Sequence, residues 1–232
     1  MSISSKLKTL NTLYSSGVKG WKSLIWNTSM AKMKRAWPLM RPSYVAIEPT
    51  NACNAKCPVC ETGKDEMHRT KGMLDLTLFK EFIDKNHALI NTLMYYFMGE
   101  PFLNKNSYEM IRYARKKNIY VETCTNGDFV DARGVIYSDI NKISFQLGGM
   151  TEETHQIYRV ASSLEKIKKN LFELIDERKK NPESNVTIEL GFIVMRHNEH
   201  EVEKFLKWSN ELNVDVANII DPCVRNMVEG YA

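Results

Sequence analysis

The chain has 232 residues, of which 43% are hydrophobic and 26% charged. That composition excludes a disordered or collagen-like chain, and the length is enough to bury a sizeable core. The net charge of +4 is uneven: residues 1–41 hold eight basic side chains and no acidic one, while the remainder carries 24 basic against 28 acidic.

Residues 1–41 read as a basic N-terminal extension, and residues 42–232 as one α/β domain. The extension holds three of the four Trp (Trp21, Trp26 and Trp37) among Leu, Met and Lys. This mixture predicts one or two amphipathic helices, parted near Gly17 and Gly20 and closed by Pro38 and Pro42. Polar residues interrupt it throughout, so it is not a secretory signal. Nor does any apolar run in the chain approach the roughly 20 residues that span a membrane. The extension suits peripheral contact with an anionic membrane surface, or a structural cover over the domain. No RNA-binding motif accompanies its charge, and no nucleic acid is expected.

From Tyr44 onward, short apolar or β-branched runs fall near 44–48, 93–98, 119–124, 142–147, 186–194 and 214–220. The fifth has the clearest period of two, in Val186, Ile188, Leu190, Phe192 and Val194. Helical patterns lie between the runs. Leu78, Phe79, Phe82 and Ile83 form a stripe after Thr77, a candidate N-cap. Met110, Ile111 and Ala114 precede Lys116 and Lys117, which suit a helix C-terminus. Leu164, Ile167, Leu171, Leu174 and Ile175 define a long helix. Val202, Phe205 and Leu206 define another, with Asn198 and Glu201 resembling a capping box at its start. Alternating strands and helices predict a parallel sheet with right-handed crossovers. Six strands fit either an open doubly wound sheet or a partial barrel.

The strongest chemical signal is Cys53-Asn54-Ala55-Lys56-Cys57-Pro58-Val59-Cys60, a C-x3-C-x2-C loop directly after the first strand. Ligand sites of parallel α/β folds lie at that end of the sheet. An odd total of five Cys, three of them within eight positions, argues against a disulfide scaffold and for metal chemistry in a reducing compartment such as the cytoplasm. Three thiolates can hold an iron–sulfur cluster with one iron left open to a non-protein ligand. The competing reading is a zinc knuckle completed by His68 or a distant Cys, in a non-enzymatic α/β module. Cys124 and Cys223 lie in or beside apolar runs and read as packing.

Several ordered motifs resemble the radical S-adenosylmethionine (SAM) enzymes. Cys53–Cys60, after Ile47-Glu48-Pro49-Thr50-Asn51, looks like the family's cluster loop. Phe97-Met98-Gly99-Glu100-Pro101 is similar to its Gly-Gly-Glu element, and Thr125-Asn126-Gly127 to its Thr-Asn-Gly. Thr151–Arg159 resembles a segment ending in Tyr-Arg. Phe192–Glu199 resembles the branch bearing a C-terminal SPASM domain. The resemblance covers about 44–221. It implies a partial (β/α)6 TIM-like barrel and an oxidoreductase or transferase of unspecified substrate, with a peptide, a small molecule or a lipid or glycan as candidates. Cys53, Cys57 and Cys60 would hold a [4Fe–4S] cluster, and SAM would chelate the fourth iron. A reductant such as flavodoxin or ferredoxin would supply the electron that cleaves SAM to a 5′-deoxyadenosyl radical, which abstracts a substrate hydrogen. Gly99 and Glu100 would receive the methionyl amino group, and Pro101 would fix the following turn. Arg159 would pair with the SAM carboxylate. Asn126 would face SAM or serve a turn.

Two departures stand out. Gln146 and Gly148 occupy the places of the Ser and Asp in the family's Ser-x-Asp-Gly, so Gln146 is a SAM contact of altered chemistry. Beyond the sixth strand, only Val224–Ala232 follow Cys223, too few for a final helix or for the auxiliary clusters of the SPASM branch. This predicts a core truncated at its C-terminus.

Overall fold

The computed structural model describes residues 44–222 and a few positions between 25 and 33. Apart from those positions, the expected basic extension lies outside the described residues, as does Cys223. Six strands form one parallel sheet in consecutive order: β1 Tyr44–Ala46, β2 Thr92–Met94, β3 Tyr120–Thr125, β4 Lys142–Leu147, β5 Thr187–Ile193 and β6 Val216–Ile220. Helices α1 Leu76–Asn86, α2 Ser107–Lys116, α3 Ala132–Ser138, α4 Glu152–Tyr158, α5 Leu164–Lys180 and α6 Val202–Glu211 lie between the strands. Among the described residues β1 and β6 do not pair, so the sheet is an unclosed, partial barrel.

Alternation along the strands divides the domain into two environments. Ile143, Phe145 and Leu147 of β4 and Ile188, Leu190 and Phe192 of β5 face the helices and are buried. They join Met110, Ile111, Ile167, Leu171, Leu174 and Phe205 in one core. Each such side chain contributes about 1.5–3 kcal/mol by leaving water. The opposite register is polar: Lys142, Ser144 and Gln146 on β4, Glu122 on β3 and Glu189 on β5. Lys142 Nζ lies 3.5 Å from Glu122 and 3.3 Å from Glu189. Glu122 and Glu189 are therefore interior residues with a structural ion partner, and this ionic group spans β3, β4 and β5.

Three helix-to-strand turns use Asn118, Asp139 and Asn213 at φ near +55°. Asn and Asp tolerate this left-handed conformation better than other non-glycine residues, so each helix stops sharply and the next strand starts at once. Helix starts differ in part from the sequence expectation. Asp75, not Thr77, caps α1, its carboxylate accepting from the Thr77 and Leu78 amides at 2.8 and 3.1 Å. Only Phe79 and Ile83 of the α1 stripe are buried, while Leu78 and Phe82 remain exposed. The Asn198/Glu201 capping box does not form. Both side chains are drawn into longer-range bonds: Asn198 donates to Gly148 O and Ile193 O, and Glu201 accepts from Met150 N and Thr154 Oγ1. A short 3-10 turn, Glu199–Glu201, leads into α6 instead. The Phe97–Pro101 motif lies in the loop beyond β2, not within the strand.

His155 locks the β4–α4 junction. It is fully buried, its Nδ1 accepts from Gly148 N at 3.3 Å, and Nε2 faces Ser162 Oγ at 3.4 Å. The acceptor role of Nδ1 assigns the proton to Nε2. Burial, with help from the Arg159 charge, pushes the imidazole pKa down from 6.5 to about 4. Between these values the unfolded chain binds the proton and the folded one does not, so folding stability falls as pH falls. Relative to His155→Gln, the wild-type chain is expected to lose about 1.4 kcal/mol per pH unit from about pH 6.5 toward pH 4, read by urea unfolding of both proteins. Parallel pH profiles would refute the assignment.

Candidate functional site

The loop after β1 carries the three cysteines across the C-terminal end of the sheet. Its turns are backbone-bonded, Cys60 N to Cys57 O at 3.1 Å and Lys64 N to Cys60 O at 2.9 Å. Lys56 N donates to Val160 O at 2.7 Å, tying the loop to the segment after α4. Cys57 and Ala55 pack with Tyr158 and Ile193 in a small apolar cluster, joined by Cys53, Val59, Cys60 and Ile220.

Gly99 explains how the second loop reaches the first. A Cβ at this position would fall on Thr50 O and within 2.7 Å of Ala52 O, so only glycine permits the approach. Glu100 N then donates to Ala52 O at 2.9 Å. The Glu100 carboxylate is buried and accepts from Thr125 Oγ1 at 2.6 Å and Asn126 N at 2.8 Å. A third donor, Phe102 N, lies at 3.4 Å. Burial pushes its pKa up to about 7, against the opposing pull of these donors and of Arg159. Pro101 opens the 3-10 turn Pro101–Leu103, and its carbonyl accepts from Ser107 Oγ at 2.6 Å. It acts as the turn residue the sequence indicates and does not line the cavity.

Cys53, Cys57 and Cys60 line one cavity of about 200 Å³ with Gly99, Glu100, Asn126, Gln146 and Arg159. The sequence candidates, Pro101 apart, are thus gathered around one space. Tyr96, Cys124, Thr125 and Tyr158 also line it. Cys124, read from sequence as packing, is half-buried on the cavity wall, and burial raises its thiol pKa to about 11. Burial likewise pushes the Cys53 thiol up to about 12. Among the described residues, no three His, Cys, Asp or Glu side chains are gathered tightly enough to hold a metal ion as they stand.

Asn126 serves the turn the sequence offered and also lines the cavity. Its Oδ1 accepts from Asp128 N at 3.0 Å in a turn, and its Nδ2 donates to Asn54 Oδ1 at 2.8 Å beside Cys53 Sγ at 3.9 Å. Asn54 in turn donates to Asp128 Oδ2 at 2.6 Å. Asp128 is buried and also accepts from Ser163 N, so it braces the cysteine loop from two sides. Sequence reasoning missed Asn54 and Asp128; the only available signal was that Asn54 lies inside the cysteine motif and Asp128 directly after Thr125-Asn126-Gly127.

Gln146 is oriented by a relay. Its Nε2 donates to Ser144 Oγ at 2.7 Å, and that hydroxyl donates to Glu189 Oε1 at 2.9 Å. The relay leaves Gln146 Oε1 as the acceptor. Gly148 has a local reason: a Cβ there would stand 3.0 Å from Arg159 Cγ, where the arginine stem crosses. Arg159 Nη1 lies 3.7 Å from Cys57 Sγ, and its Nε is sealed from solvent with no hydrogen-bond partner. A buried donor without an acceptor is costly, which makes this atom a mark of a missing anionic or polar partner.

Gly99→Ala is expected to cost about 3 kcal/mol and to lower Tm by roughly 6–12 °C, because backbone on backbone cannot relax as a side chain can. Gly72→Ala is the control: a Cβ at Gly72 meets nothing within 4 Å. Equal melting temperatures for the two variants would contradict the interlock.

The family model of the Radical SAM superfamily matches residues 47–209. A tungsten-containing aldehyde ferredoxin oxidoreductase cofactor-modifying protein of Pyrococcus furiosus is 29% identical over 86 residues, covering 36% of this chain and 24% of that protein. An AdoMet-dependent heme synthase of Oleidesulfovibrio alaskensis is 25% identical over 120 residues, covering 50% of this chain and 30% of the synthase. The chain thus spans less than a third of the length of these curated relatives. Among solved structures, native anSMEcpe with bound AdoMet superposes with a TM-score of 0.65 at 17% identity, over 82% of this chain and 56% of that one. Streptococcus suis SuiB bound to S-adenosylmethionine gives 0.62 at 13% identity, over 91% and 46%. These two likenesses establish the shared partial TIM-like barrel fold. With the family model spanning the cysteine loop, the Gly99–Glu100 loop and Arg159, the chain belongs to the radical SAM superfamily.

Proposed function

We propose that this domain holds a [4Fe–4S] cluster on Cys53, Cys57 and Cys60 and binds SAM in the adjoining cavity. The observation that carries the reading is the convergence on one space of three free cysteines and Arg159, whose buried Nε has no hydrogen-bond partner. The donor set fits the group: three thiols on one loop supply all but one ligand of a four-iron cluster. The cavity, about 200 Å³, is larger than a single ion needs, a water having about 30 Å³ of liquid volume. When bound, cluster and SAM supply the reductive cleavage that yields a 5′-deoxyadenosyl radical able to abstract a substrate hydrogen.

The protein's part is positioning and exclusion of water. The Arg159 guanidinium offers a donor to the SAM carboxylate. Glu100, already held by Thr125 and Asn126, offers an acceptor edge toward an ammonium. Gln146 Oε1 accepts from a ribose hydroxyl in place of the family's usual serine. The cysteine loop is buttressed from the Asn54–Asp128–Asn126 side and from Val160, which fixes the thiols relative to these groups. The electron comes from a low-potential donor of the flavodoxin or ferredoxin kind, and the reaction takes place in the cytoplasm. No helix among the described residues is long and apolar enough to cross a membrane.

Two measurements test the reading. Anaerobically reconstituted protein with SAM and dithionite is expected to release 5′-deoxyadenosine, and Cys53→Ala to abolish both the iron–sulfur spectrum and the product. Colourless protein with tight zinc instead would overturn it in favour of a zinc module. Arg159→Met is expected to weaken SAM binding by about 10- to 100-fold, the range of a buried charge-assisted hydrogen bond, while iron content stays unchanged. Unaltered SAM affinity would remove Arg159 from the site.

A further inference from the structure

The SAM reading gives no task to Tyr96 and Cys124, which line the same cavity as Cys53, Cys57, Cys60 and Arg159. Strand register places them. Cys124 pairs across β3 and β4 with Ser144, and Ser144 pairs across β4 and β5 with Glu189. Asn126 and Gln146 stand two residues nearer the C-terminal ends, so Cys124 sits one interior step beneath them. Tyr96 follows the end of β2 by two residues and brings its hydroxyl within hydrogen-bonding reach of the thiol. The same hydroxyl lies 3.9 Å from Met94 Sδ. Independently of both residues, Arg159 marks the cavity as a ligand site, because its buried Nε has no hydrogen-bond partner.

The chemistry open to Cys124 follows from its protonation state. Burial raises its pKa to about 11, while Lys142 pulls the other way against Glu189 and Glu122. At neutral pH the side chain is therefore a thiol. A thiolate is a nucleophile and a metal ligand, and a thiol is neither. What a thiol offers is a hydrogen atom. Its S–H bond is weaker than an aliphatic C–H bond, so transfer to a carbon radical runs downhill. Burial also keeps the Tyr96 phenol protonated, so it does not draw the proton from the thiol. Cys53, Cys57 and Cys60, once they hold iron, are deprotonated and have no S–H to give.

We propose that Cys124 is the hydrogen-atom donor of this site, so that the reaction ends by returning hydrogen to a substrate carbon. This assignment rests on the SAM reading of the cavity and adds a class of reaction to it, an isomerisation or inversion rather than a dehydrogenation. The 5′-deoxyadenosyl radical takes a hydrogen atom from the substrate and becomes 5′-deoxyadenosine. The substrate carbon radical, rearranged or inverted, then takes the hydrogen of Cys124. A C–H bond forms, the S–H bond breaks, and a thiyl radical remains on Cys124. One electron from the flavodoxin- or ferredoxin-type donor and one proton from water restore the thiol. Each turnover thus consumes one SAM, two electrons and one proton, and releases methionine and 5′-deoxyadenosine beside the product.

The test uses the full chain reconstituted with its cluster. In the first arm, SAM and dithionite are added in D2O, without substrate or added thiol, and the 5′-deoxyadenosine is read by mass spectrometry. The Cys124 S–H exchanges to S–D, and a radical quenched by the neighbour held against it is expected to give mostly monodeuterated product. Cys124→Ala is expected to lower the deuterated fraction about fivefold, and so is the near-isosteric Cys124→Ser, whose O–H bond is too strong to be drawn on. An unchanged fraction in both variants would overturn the proposal. Label that survives Cys124→Ala but vanishes when Tyr96→Phe is added would move the donor to Tyr96. Loss of 5′-deoxyadenosine itself from both variants would make Cys124 a binding residue, and a methyl group found on Cys124 would make it a nucleophile; either result overturns the donor role. The second arm needs no turnover. Without reductant at pH 9, alkylation of Cys124 by iodoacetamide, read by peptide mapping, is expected to slow about tenfold at a SAM concentration about ten times its Kd. Equal rates with and without SAM would place Cys124 away from the bound molecule and overturn the proposal. Wild-type protein that loads iron yet releases no 5′-deoxyadenosine fails the SAM reading, whereas full release without deuterium fails the donor alone.

Discussion

One buried carboxylate organises this end of the barrel. Glu100 receives hydrogen bonds from the end of β3 and from its own 3-10 turn, while its amide bonds the loop after β1. Three strand ends therefore meet at one residue. Its burial is costly enough to raise its pKa to about 7, and the donors around it offset that cost only in the folded geometry. Gly99 makes the meeting sterically possible. The cysteines, the Asn54–Asp128 brace and the cavity all take their places relative to this junction.

The parts of the fold set by local pattern were legible in the sequence. The alternation of Val186–Val194 marked β5, and the 3.6-residue spacing of Leu164–Ile175 marked α5, because both elements bury a face whose period is written in the chain. The cysteine loop was legible as a unit because its spacing is local too. Features resting on partners far along the chain were not. Asn198 and Glu201 had the spacing of a cap, yet bonds to residues about fifty positions away captured both side chains. Leu78 and Phe82 extended the apolar stripe of α1 beyond what an edge helix can cover. Asp128 carried no signal of its own, since its role exists only once Asn54, 74 positions earlier, lies beside it.

The interior of the barrel shows a different use of polar residues. Lys142 between Glu122 and Glu189 is weak evidence for net stability, because desolvation opposes the attraction. Removing the lysine alone would leave two carboxylates facing each other in a half-buried space. Through Ser144 the same group fixes the amide of Gln146 at the cavity, so a structural ion pair also sets the orientation of a hydrogen-bonding atom at the reactive end.

The contact that seals the cysteine loop also imposes an order on biogenesis. Arg159 reaches Cys57 across 102 positions, and Val160 receives the Lys56 amide across a similar span. At roughly 5–20 residues per second, a ribosome needs about 5–20 s to make the intervening chain. Through that interval the thiols have left the exit tunnel without their cover. The nascent chain thus passes through a window of oxidative vulnerability, in which its sulfurs are open to any reagent that the folded cover would later exclude.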